Sequence, residues 1–271
     1  MSFSTGMPVV LAAATHPDDI EFMFAGTLLL LKEAGCEIHL WNLANGCCGS
    51  RQYSKNETSR IRLEEAKESA ALAGATYHSP VFNDLEIFYD KPSLATVTDV
   101  VRSIRPQIIL THSPDDYMED HQNVCRLIVT AAFSRGMVNF GTPDSSYDSP
   151  VRIYHAAPHG LCDGLGNAFR PDLLVDIATV LDIKCKMLAC HRSQQDWLVA
   201  SQGLGAYVED MMEMASTMGG LTSPATYAEG WRRHAHLGFC PPDFDPLPEI
   251  LQIFSRVFKH SAAALYAKTH Q

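Results

Sequence analysis

Between residues 8 and 135 the chain alternates two hydrophobic patterns. Apolar runs of strand length recur at 8–14, 37–43 and 107–112, as expected of parallel strands covered on both faces. Between and after them lie longer segments of helical length at 21–34, 57–73, 93–104 and 120–135. Gly35 and Gly74 stand where they can cap the first two helices, Asn56 can open the second, and Pro106 stops the third. Val81-Phe82-Asn83 is a shorter strand candidate. Strands and helices alternating at this spacing predict β-α-β units with right-handed crossovers, and so an α/β fold.

The second half is less regular. A polar loop at 137–150 precedes strands at 151–157 and 172–177, and helices follow at 179–193 and about 205–217. Beyond Pro246, the residues Leu247, Leu251, Phe254, Phe258 and Leu265 recur at spacings of three, four and seven, which predicts a C-terminal helical extension over about 246–271. Its apolar face would pack on its own domain or on a second subunit of a homo-oligomer. Gly26, inside the first helix, costs about 1 kcal/mol there and predicts a close approach by a strand or a ligand. No stretch reads as a linker, so a single domain over 1–271 is expected.

Composition narrows the function classes. The 271 residues carry 31 acidic against 21 basic side chains, a formal net charge of -10, which repels nucleic acid and anionic membrane surfaces. No apolar run reaches the roughly 18 residues of a membrane span, and the N-terminus lacks the charged start and cleavage site of a signal peptide, so a cytoplasmic protein is expected. The eight cysteines form no C-x-x-C pair and read as reduced thiols. Adjacent Cys47 and Cys48 read as loop or core residues rather than as a chelating pair.

The candidate chemistry sits where two of the apolar runs end. The first runs into His16-Pro17-Asp18-Asp19, the third into a polar stretch that reaches Asp120-His121. In open α/β sheets, ligands bind outside the carboxyl ends of the strands. His16, Asp19 and His121 together would offer two imidazole nitrogens and one carboxylate oxygen, leaving the fourth position of a Zn²⁺ ion open, as in catalytic sites. Asp18 and Asp19, adjacent in an irregular turn, project in different directions, so one can hold the metal while the other faces the bound water as a base. Taken alone, His-Pro-Asp-Asp reads as helix capping; a second cluster at an equivalent position argues for chemistry.

At this point the chain resembles a known family. His16-Pro17-Asp18-Asp19-Ile20-Glu21 followed by Ala25-Gly26-Thr27 is similar to the signature of the PIG-L or LmbE-like zinc-dependent de-N-acetylases. The resemblance extends to Arg62-Leu63-Glu64-Glu65-Ala66, to Asp116-Tyr117 with Asp120-His121, to Ser193-Gln194 and to Tyr227-Ala228-Glu229-Gly230-Trp231, covering roughly residues 8 to 240. It implies a Rossmann-like three-layer α/β/α fold with a mainly parallel sheet, LmbE-like. It further implies zinc held by His16, Asp19 and His121, with Asp18 as base. Arg62 would hold Asp18 or a substrate oxygen, the alternative being an i,i+3 pair with Glu65; Asp120 would orient an imidazole.

One departure stands out. Many members carry a histidine three residues before the second zinc histidine, to stabilise the oxyanion and protonate the leaving amine; this chain has Met118 there, and a thioether can do neither. Tyr117 and His112 are the nearest substitutes in sequence, while His155, His159, His191, His234 and His236 reach the site only through the fold. The expected reaction is hydrolysis of the N-acetyl group of a small amino sugar or conjugate. A two-metal phosphoesterase, or a binding protein without turnover, are the alternatives.

Overall fold

The computed structural model describes residue 6 and residues 8–142, 145–202, 207–221, 225–252 and 257–259. Among the described residues eight strands form one sheet: β1 (Val9–Ala14), β2 (Glu37–Asn42), β3 (Thr76–His78), β4 (Ile108–Thr111), β5 (Arg152–Ala156), β6 (Leu173–Asp176), β7 (Ala228–Arg233) and β8 (Val257–Lys259). Their order is β3-β2-β1-β4-β5-β7-β6-β8. The first five pair in parallel, and β7 and β8 run antiparallel to their neighbours. The sheet is therefore mainly parallel, as expected.

The alternation of side chains along the strands builds two core layers. Val10, Ala12 and Ala14, with Leu40 and Leu110, pack among residues of α1 (Asp19–Met23), α2 (Ala25–Glu33), α6 (Leu181–Leu188), α8 (Tyr207–Gly219) and α9 (Pro246–Gln252). Leu11, Ala13 and Ile109 point the other way, against α4 (Lys91–Ile104) and α5 (Glu119–Ser134). Two helices remain, α3 (Lys55–Leu72) and α7 (Arg192–Gln202). Among the described residues no helix is long and apolar enough to cross a membrane.

Several expectations need correction. The helix expected at 21–34 is two, α1 and α2, interrupted at Phe24. The cause lies 200 residues away: the Glu229 carboxylate on β7 accepts the N–H groups of Gly26 (2.8 Å) and Thr27 (2.7 Å), so a helix N-terminus must open there. Gly26 meets the close approach expected of it, since a Cβ would lie 2.6 Å from Ile177 Cγ2 and 2.9 Å from Glu229 Oε1. Lys184 closes the cluster by pairing with Glu229 Oε1, and Trp231 donates to the Thr27 hydroxyl at 2.9 Å. Helix α3 opens at Ser54, not Asn56, through a reciprocal capping box with Glu57.

Residues 81–83 contribute only an isolated bridge between Phe82 and Ala44; the strand there is β3. The segment expected as one helix over 179–193 is α6, and a further helix, α7, follows it. Strand β7 carries Glu229, Arg232 and Arg233, a polar pattern that hides a strand buried between β5 and β6. The C-terminal helix ends at Gln252, and Val257–Lys259 adds a strand to the open edge of β6. A short apolar run suits either period, and an unpaired sheet edge offers it backbone hydrogen bonds. Leu247 and Leu251 pack in the core as the helical spacing requires; Phe254 and Leu265 lie outside the described residues.

Candidate metal centre and active site

Strand β1 pairs with β2 on one side and with β4 on the other, so the chain leaves neighbouring strands β1 and β4 in different directions and opens a crevice at their carboxyl ends. The segments that follow the two strands meet there. The Thr15 N–H donates to His112 Nε2 at 2.9 Å, fastening one to the other. Helices α1 and α5 both start in this crevice, and they carry Asp19 and His121 respectively.

His16, Asp19 and His121 each offer one ligand atom within 4.8 Å of the others. Asp19 Oδ2 is shared: His16 Nδ1 lies 3.5 Å from it and His121 Nε2 3.4 Å. Each imidazole turns its other nitrogen to a carboxylate of its own. His16 Nε2 is 3.4 Å from Asp120 Oδ2, and His121 Nδ1 is 3.1 Å from Asp116 Oδ1. The pattern fixes ring orientation and leaves the inner nitrogens free to coordinate. His121 Nε2 is buried and has no hydrogen-bond partner, a costly state unless something else accepts its lone pair. Two nitrogens and one oxygen in this arrangement are a donor set that fits zinc.

The electrostatics agree. Burial opposes charge on His16, but Asp120 and Asp19 outweigh it and raise its pKa to about 10. At His121 burial is likewise overcome, by Asp19 and Asp116, and the pKa rises to about 9. Burial also works against the Asp19 charge, yet His121, His16 and His112 hold its carboxyl well below the usual range. So much attraction for positive charge around one carboxylate oxygen is what a cation would exploit. His112 stacks on His121 at 4.1 Å and 14°, and burial with the neighbouring His121 lowers its pKa to about 3.

A second group, His112 with Asp116 and His121, reuses His121, and His112 Nε2 already serves Thr15. The site thus offers no independent ligand set for a second ion among the described residues. The Cys47, Cys48 and Asp84 group behaves as loop structure: Asp84 accepts the N–H groups of Gly46 (2.7 Å) and Cys48 (2.8 Å).

Asp18 does not cap its helix. Its backbone sits at φ 115°, a left-handed conformation that a non-glycine residue adopts only under local constraint, and its side chain caps no N–H. The carboxylate instead accepts a hydrogen bond from the Tyr207 hydroxyl on α8. Burial, followed by the Asp19 charge, pushes its pKa up to about 6, against the opposing pull of His191 and Arg62. His191 pairs with buried Glu21 at 3.2 Å behind it.

Arg62 makes neither a hydrogen bond to Asp18 nor the expected alternative pair with Glu65. It is buried, donates to the Gly49 carbonyl at 3.0 Å and to Gln194 Oε1, and influences Asp18 through its charge without a hydrogen bond to it. Glu65 is engaged elsewhere, accepting from Ser193 N–H at 3.0 Å and from its hydroxyl at 2.6 Å. The Ser193-Gln194 pair therefore ties α7 to α3. Asp120, expected beside an imidazole, stands beside His16, and its Oδ2 also accepts the Leu85 N–H at 2.8 Å.

A cavity opens over the site, with Tyr117, Met118, His159, Trp197, Tyr207 and Asp210 among its walls. Of the distant histidines, His159 is the one that lines it, with its ring 4.9 Å from Phe22 and 6.0 Å from Tyr117. His155 and His234 pair with each other at 2.9 Å, and His191 is bound to Glu21. Sequence reasoning assigned no role to Asp116, Tyr207 or Asp210. Asp116 lies five residues before His121, outside helical register, and Tyr207 is 189 residues from Asp18, so neither has a local signal.

Residues 11–132 match the family model described as PIG-L, GlcNAc-PI de-N-acetylase. Over that stretch, which carries both strand-end clusters, the chain is similar to the PIG-L de-N-acetylases. Diacetylchitobiose deacetylase of Thermococcus kodakarensis is 29% identical over 194 residues, 68% of this chain and 69% of that protein. A 4-oxalmesaconate hydratase of Pseudomonas putida is 25% identical over 204 residues, 72% of this chain and 77% of that one. The fold of N,N'-diacetylchitobiose deacetylase from Pyrococcus horikoshii superimposes with a TM-score of 0.70 at 23% identity, covering 89% of this chain and 88% of that one. The similar proteins thus include deacetylases and a hydratase.

Proposed function

We propose that this chain is a zinc-dependent amide hydrolase, one domain over residues 1–271, that removes the N-acetyl group from an amino sugar or amino-sugar conjugate. The observation that carries the reading is the buried, unpartnered Nε2 of His121 turned toward the Asp19 oxygen that also faces His16, with Asp18 beside them. Zinc held by His16, Asp19 and His121 would polarise the acyl oxygen and lower the pKa of water at the open position from about 15.7 toward about 7.

The protein's own groups supply the rest. Asp18 takes the proton of the attacking water; its raised pKa, about 6, makes it a competent base near neutrality. The Tyr207 hydroxyl holds one Asp18 oxygen and leaves the other for the water. Asp116 and Asp120 orient His121 and His16. His159 takes the role left open at Met118: it lines the cavity and, as imidazolium, delivers a proton to the departing amine, a form that burial disfavours and the nearby Asp19 and Asp210 charges favour. Acetate and a free amine leave.

The test is mass spectrometry of N-acetylated sugars incubated with zinc-loaded protein, looking for a loss of about 42 mass units. Asp18→Ala that retains zinc yet still releases acetate would show the assigned base to be wrong. A hydratase is the second reading, favoured by the Pseudomonas relative. It predicts a gain of about 18 mass units on an unsaturated acid and no acetate from any amide.

A further inference from the structure

The walls of the cavity carry a charge pattern that bears on the substrate. Three carboxylates face it, Asp18, Asp19 and Asp210, and no lysine or arginine lines it among the described residues. Asp18 and Asp19 belong to the metal centre and feel the charges of His191, Arg62 and the site histidines. Asp210 does not. It stands three residues beyond Tyr207 on α8, and among the described residues no side chain pairs with its carboxylate; its charge is felt at His159 across the cavity. Arg62 is covered, its guanidinium engaged by Gly49 and Gln194. The undescribed stretches 203–206 and 222–224, next to α8 in sequence, contain no lysine or arginine either.

Carboxylate ligands are recognised by arginine or lysine, usually through paired charged hydrogen bonds, and in a cavity without such donors an anion has only the metal, already neutralised in part by Asp18 and Asp19, to replace its hydration. Aromatic faces beside a single carboxylate suit the opposite kind of ligand, a sugar ring with hydroxyls or an ammonium group. Trp197, Tyr117 and Phe22 line the cavity with Asp210. Resting on the deacetylase reading, we propose that this site selects N-acyl sugars of zero or positive charge and excludes polycarboxylates, with Asp210 as the specificity-determining residue that favours a substrate ammonium group.

The test measures binding by calorimetry to the zinc-loaded protein, using N-methylsulfonyl analogues that resist hydrolysis. Three probes share the glucosamine ring: a neutral methyl glycoside, the same sugar linked to a second, unmodified glucosamine, and the same sugar linked to a dicarboxylic acid. The ammonium probe is expected to bind about fivefold or more tightly than the neutral one, and the dianion at least about tenfold more weakly. Asp210→Asn brings the ammonium and neutral probes level, Asp210→Glu keeps the preference, and Asp210→Lys reverses the order of ammonium and dianion. A dianion that binds the wild-type protein as well as the neutral probe overturns the proposal, and so does an unchanged ammonium preference in Asp210→Asn. Acetate release is scored separately: the expected binding order without hydrolysis of any N-acetyl sugar overturns the deacetylase reading and leaves the charge selection standing.

Discussion

Two buried carboxylate clusters in this protein look alike in sequence and differ in state. Around Glu229 every valence is met: its oxygens accept from Gly26, Thr27 and Lys184, all three inside the protein. Around Asp19 they are not. His121 Nε2 and Asp116 Oδ2 are buried without hydrogen-bond partners, and His112 Nδ1 beside them is in the same condition. A satisfied cluster joins β7 to the start of α2 and contributes stability; an unsatisfied one stores binding capacity for something outside the chain. Motifs of the resemblance run through both, so motif membership alone does not separate a structural glutamate from an aspartate of the candidate site.

The comparison can be broken by substitutions that should act on one property and spare the other. The largest effect is expected at Asp18→Asn: loss of a general base lowers turnover about a thousandfold. Asparagine tolerates positive φ, so thermal unfolding should show no loss of stability. A destabilised Asp18→Asn protein would mean that Asp18 belongs with the structural cluster. Glu229→Ala should do the reverse. It strands the Lys184 charge and two N–H groups, and denaturant titration should show about 3–5 kcal/mol lost, while zinc stoichiometry of the folded fraction is unchanged.

Asp116→Asn removes the charge that orients His121 but keeps its shape. Zinc affinity, read by competition with a chelator, is expected to fall about 10- to 100-fold with little change in unfolding midpoint. An unchanged affinity would mean that His121 is not a ligand, or is oriented by other groups such as stacked His112. The smallest effect marks the baseline. Ser54→Ala breaks the capping box of α3, on the exposed side of the molecule, and should cost about 1 kcal/mol of stability with no effect on zinc or turnover. A larger change in activity would show that α3 transmits strain to Arg62.

How much was legible follows the range of the interactions involved. Strands β1, β2 and β4 and helices α4 and α5 are written in local hydrophobic patterns, and so were found close to where they lie. His16, Asp19 and His121 were legible because topology makes the ends of neighbouring parallel strands predictable meeting points. Strand β7 was not, because its polar residues are satisfied by distant partners: Glu229 by α2 and Lys184, and Arg233 by Asp245 at 2.8 Å. The break at Phe24 was hidden for the same reason. The tail was misread as wholly helical because an edge of β6 was open to receive it.

By itself, then, the sequence determined the α/β class, the family resemblance and the three candidate ligand positions, since periodicity, motifs and strand-end placement are local properties carried by adjacent residues. Only the tertiary structure decided that Asp18 meets Tyr207 instead of capping its own helix, that Asp116 and Asp120 each serve a different histidine, and that His159 and Asp210 share one cavity with Met118. Those relations join side chains up to 189 residues apart. Their geometry is fixed by how the helices settle on the sheet, a property that no window of sequence contains.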